Sequence, residues 1–236
     1  MTVRGYAPFM EFPDRAGVMI LGGACLFPQA LLPLFIFEPR YRRLLAASLE
    51  GHRMFIIAMA RPGVSRESPL PLAGLGLVRA SVENEDGTSN LVLQGLTRVR
   101  LGKVTRYKPY REMKFEPLPD HPASSLLVDA LHSRVMDLVE TRLRQGATMS
   151  LALLSQVAGG ITDPLTGSDV TVSDCMSALR RVEEPGFLAD LVALMLLPNP
   201  LARQVILQTV DVTDRLKHLV RFLVAEISRK RKEDAE

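Results

Sequence analysis

The stretch that decides the fold is Leu26-Phe27-Pro28-Gln29-Ala30-Leu31-Leu32-Pro33-Leu34-Phe35-Ile36-Phe37-Glu38-Pro39-Arg40-Tyr41-Arg42-Arg43-Leu44-Leu45. A turn that contains Phe27 and Pro28 leads into an apolar strand at residues 31–37. Pro39 then begins a short amphipathic helix. Proline is tolerated at this position because N–H groups in the first turn of a helix have no acceptor within the helix. A strand that is apolar at nearly every position is typical of one buried on both faces. The segment therefore predicts a turn, a core strand and a helix in succession.

The overall composition is that of a globular protein. The 236 residues are 47% hydrophobic and 23% charged, which leaves room for one or two domains. The apolar runs, such as residues 54–60, are far shorter than the roughly 20 residues of a membrane-spanning helix. Cys25 and Cys175 lie far apart, without the spacing of a disulfide framework or a zinc site. We therefore expect a cytoplasmic protein with no membrane segment, metal or other cofactor.

The pattern of residues 1–120 is that of β-strands. The candidate strands, short apolar runs rich in branched or aromatic residues, are residues 18–21, 31–37, 54–59, 75–83 and 91–96. The last two flank Asn84-Glu85-Asp86-Gly87-Thr88, whose Asp-Gly pair favours a tight hairpin. Val99, Leu101 and Val104 alternate imperfectly with basic residues, as in a strand with one face in water. Many short strands with one helix predict a small, partly closed barrel.

After residue 120 the apolar period becomes helical. One predicted stripe consists of Leu127, Leu131, Val135 and Leu138. Ser173 is placed to cap a helix that reaches about residue 183. Pro185 begins another helix, which Pro198-Asn199-Pro200 ends. Residues 159–172 contain clustered Gly, Thr and Asp and predict an irregular loop.

The final helix has the clearest pattern. Asp211 is a suitable N-cap, and the basic residues 229–232 lie at the other end, where positive charge suits the helix dipole. The predicted apolar face consists of Val212, Leu216, Leu219, Val220, Leu223, Val224 and Ile227. Together these patterns predict an α+β protein, with a barrel in residues 1–120 and an all-α bundle in residues 121–236.

Four segments, in order, resemble the amino-terminal substrate-binding region of Lon-type ATP-dependent proteases. They are residues 26–45, the strand at residues 93–101 with its Gly95 and Arg98, Glu184-Pro185-Gly186-Phe187-Leu188-Ala189-Asp190, and Asp211-Val212-Thr213-Asp214-Arg215-Leu216. The residues that carry this family signature are Phe27, Pro28, Pro33, Pro39, Gly95, Arg98, Pro185 and Asp190. The resemblance implies a PUA-like pseudo-barrel of mostly antiparallel strands with one helix, followed by a helical bundle.

The resemblance implies binding without catalysis. Lon proteases also contain an ATPase module and a Ser–Lys peptidase. The 236 residues contain no Gly-x-x-x-x-Gly-Lys-[Ser/Thr] phosphate loop and nothing that resembles the peptidase nucleophile segment. We therefore expect a stand-alone, non-enzymatic module that binds unfolded or extended polypeptide at an apolar groove or an open sheet edge. An ATP-dependent protease is its expected partner in an adaptor arrangement. The sequence assigns no residues to the polypeptide-binding groove.

A basic segment offers an alternative, since PUA-like barrels include RNA-binding domains. The candidate nucleic-acid contacts are Arg98, Arg100, Lys103, Arg106, Lys108, Arg111 and Lys114. Tyr107, Tyr110 and Phe115 are interleaved with them, so that cations could contact phosphates while aromatic rings stack on bases. The same pattern also fits a solvated strand face with core aromatics. The excess of positive charge in residues 1–120 is only five, which is small for a dedicated nucleic-acid binder.

The remaining ionisable residues predict no active site. His132 follows Asp129 by three residues and His218 follows Asp214 by four, spacings at which two side chains meet on a helix surface. A catalytic or metal site needs further convergent groups, so we expect solvated pairs. Cys25 has no base near it in the sequence and is expected to be a buried or bystander residue rather than a nucleophile.

Overall fold

A computed structural model describes residues 11–64, 67–120, 125–148 and 171–235. The chain divides into two compact units, Met1–Pro119 and Asp120–Glu236. In the part of the chain that is described, the first unit contains all the strands and one helix, and the second contains only helices. None of the described helices is long and apolar enough to cross a membrane.

The first unit is built on a six-stranded sheet. In chain order its elements are β1 (Arg15–Leu21), β2 (Leu31–Ile36), α1 (Pro39–Glu50), β3 (Met54–Met59), β4 (Leu72–Glu83), β5 (Ser89–Arg106) and β6 (Glu112–Leu118). The strand order is β2-β5-β4-β3-β1-β6, and β5 also pairs with β6. Five strands therefore form a ring, while β2 lies outside the ring on β5. Among the described strands, only β1 and β3 pair in parallel. The result is a pseudo-barrel rather than a clean barrel.

Strand β5 is longer than the sequence pattern predicts. Residues 91–96 and 99–104 belong to one strand of 18 residues, which runs through Gly95 without a break. This length allows β5 to pair with β2 near its beginning and with β6 near its end. Strand β6 was not predicted, because its apolar residues Met113 and Phe115 alternate with charged residues and are followed by Pro117. The predicted hairpin at residues 84–88 is present.

The turn before β2 packs directly on Gly95. Backbone hydrogen bonds of 2.8 Å join Gly95 to both Gln29 and Ala30. A Cβ atom on Gly95 would lie 1.9 Å from the carbonyl oxygen of Phe27, which is closer than real atoms approach. Only glycine therefore lets this turn lie flat against β5. The buried Phe27 and the absent side chain of Gly95 explain why both residues belong to the sequence signature.

Two apolar clusters form the core of the first unit. The cluster inside the ring includes Val18, Ile20, Ile56, Leu75, Leu96 and Val99. The cluster between the sheet and α1 includes Met19, Tyr41, Leu44, Phe55 and Leu93. Strand β1 contributes to both clusters because successive side chains point to opposite faces. The Tyr41 hydroxyl donates a hydrogen bond to the Ile20 carbonyl (3.0 Å) and accepts one from the Ile20 N–H (3.1 Å). Burial raises the pKa of this hydroxyl.

Five described helices form the second unit. They are α2 (Leu126–Arg144), α3 (Val172–Leu179), α4 (Pro185–Leu196), α5 (Pro200–Gln208) and α6 (Val212–Glu233). Thr171, not Ser173, caps α3, in a reciprocal capping box with Asp174. Helix α5 was not predicted, because Pro198-Asn199-Pro200 was interpreted only as a stop. Asn199 also starts the next helix, since its side chain accepts a hydrogen bond from the Leu201 N–H (2.8 Å). Most of the predicted loop at 159–172 lies outside the described residues.

The buried faces of the long helices differ from the predicted stripes. In α2, Leu127 is 51% exposed, whereas its neighbour Val128 is buried. In α6, Val224 is exposed and Val220 is half-buried, so the buried face is narrower than the apolar pattern. The apolar pattern of a helix shows which side chains can be buried. The neighbouring helices decide how many of these side chains are buried in the fold. The predicted α+β fold class is confirmed.

Candidate functional site

Strand β2 is an edge strand with a free backbone side. Among the described residues it pairs only with β5. The Gly95 N–H donates a hydrogen bond to the Ala30 carbonyl, so Ala30 and Gly95 form a hydrogen-bonded residue pair. Hydrogen-bonded and non-hydrogen-bonded pairs alternate along an antiparallel ladder. By this alternation the even-numbered residues of β2 bond to β5, whereas the backbone groups of Leu31, Pro33 and Phe35 face away. Pro33 is tolerated because its missing N–H removes no bond from the ladder.

One face of this edge is apolar and exposed. Phe35 is 55% exposed and Phe37 is 60% exposed, and their rings stack with centroids 6.0 Å apart. The strand register places Asn90 of β5 beside Phe35 and Val82 of β4 beside Asn90. Together with their neighbours in the register, these residues define the β2 face: Pro33, Phe35, Phe37, Ala80, Val82, Asn90 and Val92.

The prediction that residues 31–37 are buried on both faces is wrong. Ile36 is 3% exposed and belongs to the cluster beneath α1. On the other face, Phe35 and Phe37 each keep more than half of their surface exposed. The cause is the position of β2 outside the ring, where only one of its faces meets α1 and its cluster. A contiguous exposed apolar patch on a sheet edge is typical of an interaction surface.

The β2 face has the chemistry to bind an extended polypeptide. None of its seven side chains is charged. An apolar ligand can therefore cover the face without the cost of removing a charge from water. An added strand could bond to the outward backbone groups of Phe35 and place alternate side chains against the two rings. Covering the exposed half of both phenylalanines is worth about 1.5–3 kcal/mol by the usual area relation.

The predicted nucleic-acid residues lie in different surroundings. Arg98 is only 2% exposed, so its prediction as a phosphate contact is wrong. It is buried because β4 and β6 both pair with β5 at this residue. Arg100 and Arg106 are exposed but already face carboxylates, at 3.3 Å from Glu116 and 3.2 Å from Glu112.

The aromatic residues of the basic segment are also engaged. The guanidinium of Arg106 lies 4.5 Å from the ring centroid of Tyr110, and that of Arg111 lies 5.7 Å from the centroid of Tyr107. The remaining predicted contacts, which are exposed, are Lys103, Lys108 and Lys114. The sequence pattern suggested cations and aromatic rings that are available to a ligand. In the structure, most of these side chains contact one another or nearby carboxylates instead.

The histidines and cysteines form no site among the described residues. No group of three or more potential metal ligands occurs there. His52 accepts a hydrogen bond from the Met54 N–H (3.1 Å), and burial lowers the pKa of its imidazole despite the nearby Glu112. His218 lies 3.2 Å from the Thr209 hydroxyl, and His121 lies outside the described residues.

The two cysteines are both buried. For Cys25 this confirms the burial predicted from the sequence. Burial also raises the pKa of the Cys175 thiol, and the nearby Asp174 carboxylate acts in the same direction. A thiol shifted this way is a weaker nucleophile near neutral pH, because less of it is thiolate.

A buried charge cluster lies in the second unit. Arg215 is fully buried, and its two terminal nitrogens donate to the two carboxylate oxygens of Asp120 at 2.8 and 2.6 Å. One of these nitrogens also lies 3.4 Å from Asp190, whose side chain is 3% exposed. The carbonyls that accept the other hydrogen bonds of the guanidinium belong to Gly186, Thr209 and Val210. We interpret this cluster as structural, because Arg215 is fully buried and each of its guanidinium nitrogens already donates to groups of the same unit.

The charge cluster explains why Pro185 and Asp190 belong to the sequence signature. Pro185 is at the first position of α4, and the first two turns of that helix bring Asp190 to Arg215. Partial burial, together with the carboxylates of Asp120 and Asp190, raises the pKa of the neighbouring Glu184. The sequence named Asp190 and Arg215 in separate motifs, but no local spacing shows that residues 25 positions apart form a pair.

Comparison with known families agrees with this architecture. The sequence model of the ATP-dependent protease La (LON) substrate-binding domain matches residues 16–225. The chain belongs to this family. The Lon protease of Desulfosudis oleivorans is 25% identical over 219 residues, which are 90% of this chain and 24% of that protein. The Lon protease of Dictyoglomus thermophilum is 23% identical over 222 residues, 92% of this chain and 25% of that protein.

Solved structures of Lon domains share the fold. The N-terminal domain of Mycobacterium avium complex Lon protease superimposes with a TM-score of 0.66 at 15% identity, covering 89% of this chain and 98% of that one. The Lon N-terminal domain protein from Xanthomonas campestris gives a TM-score of 0.55 at 18% identity, covering 88% and 98%. This chain spans about a quarter of the curated Lon proteases that it matches. The family match covers only the substrate-binding domain, with no ATPase or peptidase module. No comparison supports a nucleic-acid function.

Proposed function

We propose that this Lon-type substrate-binding domain is a non-catalytic module that recognises extended apolar segments of unfolded polypeptides. The observation that carries the proposal is the β2 face, an exposed and uncharged surface beside a free strand edge. Membership of the Lon substrate-binding family supports the same class of ligand. A folded protein offers few such segments because its apolar residues are buried, so the site would select unfolded chains.

Binding proceeds by strand addition. The incoming segment bonds to the outward N–H and carbonyl groups of Leu31 and Phe35 and to the carbonyl of Pro33, which has no N–H. The part of the ligand beside Phe35 gains most, because it makes two main-chain bonds next to the exposed rings. Alternate ligand side chains then cover the rings of Phe35 and Phe37. Main-chain bonds make this recognition tolerant of sequence, while the apolar face excludes segments whose facing residues are charged.

The partner that consumes the bound polypeptide is an ATP-dependent protease. The Lon family supplies this expectation, and the absence of a phosphate loop and a Ser–Lys segment from these 236 residues assigns the catalytic steps elsewhere. The cytoplasm is the proposed compartment, since the cysteines in the described structure are two buried free thiols. A purified chain is expected to show neither ATP hydrolysis nor peptide cleavage.

The direct test measures binding of a reduced and carboxymethylated model polypeptide, which cannot refold, by fluorescence anisotropy. We expect the Phe35→Ser/Phe37→Ser double variant to bind at least about tenfold more weakly, since tenfold corresponds to 1.4 kcal/mol and covering the two rings is worth about 1.5–3 kcal/mol. The matched control is Leu201→Ser/Val224→Ser, which removes two exposed apolar side chains from the second unit. Equal losses in both variants, or binding by neither the wild type nor the control, would count against the proposal.

A further inference from the structure

A second free strand edge lies on β4. Strand β3 pairs with β4 only at residues 74–77, so among the described residues the segment 79–83 pairs on one side alone, with β5. The hydrogen bond from the Asn84 N–H to the Thr88 carbonyl fixes the alternation of bonded pairs in this hairpin. By that alternation Val82 bonds to β5, whereas the backbone groups of Ser81 and Glu83 face away from it.

A groove of about 650 Å³ lies between this edge and helix α1. On the strand side it is lined by Ser81, Glu83, Gly87 and Ser89. On the helix side it is lined by Pro39, Arg42, Arg43, Leu45, Ala46 and Leu49. Side chains of a strand alternate between its faces, so Ser81 and Ser89 point away from the β2 face, which contains Val82 and Asn90. The groove and the β2 face are therefore separate sites on opposite faces of the same strands.

The charges of the groove differ from those of the β2 face. Arg42 lies against Gly87 and is attracted to Asp86, so that cation is partly neutralised within the protein. Arg43 is exposed and has no hydrogen bond or ion pair with any residue in the described part of the chain. Glu83 brings one negative charge to the strand end of the groove. A ligand carboxylate is thus favoured on the α1 side, beside Arg43.

We propose that this groove binds a second extended segment, one that is acidic rather than purely apolar. Such a segment pairs with the outward backbone groups of Ser81 and Glu83. It packs apolar side chains on Ala46 and Leu49 and directs a carboxylate to Arg43. The β2 face contains no charged residue and cannot make this last contact. Substrates with mixed acidic and apolar segments would then contact the domain at two places, which raises overall affinity.

The test compares two fluorescein-labelled decapeptides with the same alternating Val and Thr core. One peptide contains two Glu residues and the other contains two Lys residues at the same positions. At low salt we expect the Glu peptide to bind the intact chain about tenfold more tightly, and the difference to shrink in high salt because exposed charges are screened. Arg43→Gln should weaken the Glu peptide about fivefold, whereas the Lys peptide should bind equally well or slightly better because a repulsive charge is removed. Lys103→Gln, which removes an exposed cation elsewhere, is the matched control.

A second variant tests the strand edge independently of charge. Ser81→Pro removes an outward N–H but no bond of the β4–β5 ladder, so the protein should still fold and lose affinity for the Glu peptide. The Phe35→Ser/Phe37→Ser variant should keep that affinity. Equal binding of both peptides, or an unchanged Glu-peptide affinity in Arg43→Gln, overturns the proposal. Loss of the Glu peptide in the Phe variant instead assigns it to the β2 face. Retained Glu-peptide binding without binding of the unfolded chain overturns only the proposed function.

Discussion

Replacing Arg215 by Met should strongly destabilise the second unit. The substitution removes both hydrogen bonds to Asp120 and the contact at 3.4 Å with Asp190. Asp190 stays in place with 3% of its side chain exposed, so its buried carboxylate loses the Arg215 cation. Breaking a buried ion pair by removing one partner costs about 3–5 kcal/mol, because the Coulomb attraction that offset the burial of the remaining charge is lost. The carbonyls of Thr209 and Val210 also lose their donors.

Urea unfolding followed by two signals can locate this effect. The four tyrosines are Tyr6, Tyr41, Tyr107 and Tyr110, all in the first unit, and the chain has no tryptophan. Tyrosine fluorescence therefore reports on the first unit, while the far-ultraviolet helical signal mainly reports on the second. With a slope of about 1–3 kcal/mol per molar urea, a loss of about 3–5 kcal/mol should lower the helical midpoint by about 1–5 M.

Two further variants separate the buried charge from other effects. Arg221→Met removes an exposed arginine from the same helix and should change stability by less than about 0.5 kcal/mol. Arg215→Met/Asp190→Leu replaces the pair with apolar side chains and should regain at least half of the loss, since no deeply buried charge then remains. A helical midpoint for Arg215→Met within error of that for Arg221→Met would refute this reasoning.

Three other substitutions test single contacts. Gly95→Ala should lower stability by about 2–3 kcal/mol, because its Cβ would meet the Phe27 carbonyl, while Gly22→Ala, which has open space around it, should be neutral in the same thermal melt. Tyr41→Phe leaves the buried N–H and carbonyl of Ile20 without the hydroxyl and should cost about 1–3 kcal/mol in urea unfolding; an unchanged midpoint would contradict this bond. Glu184 has a raised pKa, so the folded state holds its proton more tightly than the unfolded state, and wild-type stability falls as pH rises from 4.5 through the folded pKa. Glu184→Gln should therefore gain up to about 1 kcal/mol relative to wild type at pH 7 and lose this advantage near pH 4; a pH-independent difference would show that the carboxyl does not titrate in this way.

Local patterns predicted the elements that local chemistry controls. The Asp-Gly hairpin, the proline-started helices α1 and α4 and the Asp211 cap all depend on residues within a few positions of each other. Strand β6 and helix α5 escaped prediction for the same reason. Their short apolar patterns are weak, and they exist because β5 and β1 in one case, and α4 and α6 in the other, lie beside them.

The candidate site was less predictable than the fold. The apolar run at residues 31–37 was correctly interpreted as a strand, but its exposure depends on its place outside the ring of strands. Arg98 shows the opposite case, since a basic residue in an alternating pattern is buried between β4 and β6. The free edge of β4 depends on where β3 stops pairing, which no property of residues 79–83 reveals.

The sequence alone determined the α+β class and membership of the Lon substrate-binding family, because turn residues, apolar periods and motif order are properties of the chain. The tertiary structure decided which of its many apolar and basic side chains face water. Burial depends on how many neighbours a strand or helix has, and these neighbours come from distant parts of the chain. Phe35 and Phe37, apolar yet exposed, and Arg215, charged yet buried, are the clearest results of that dependence.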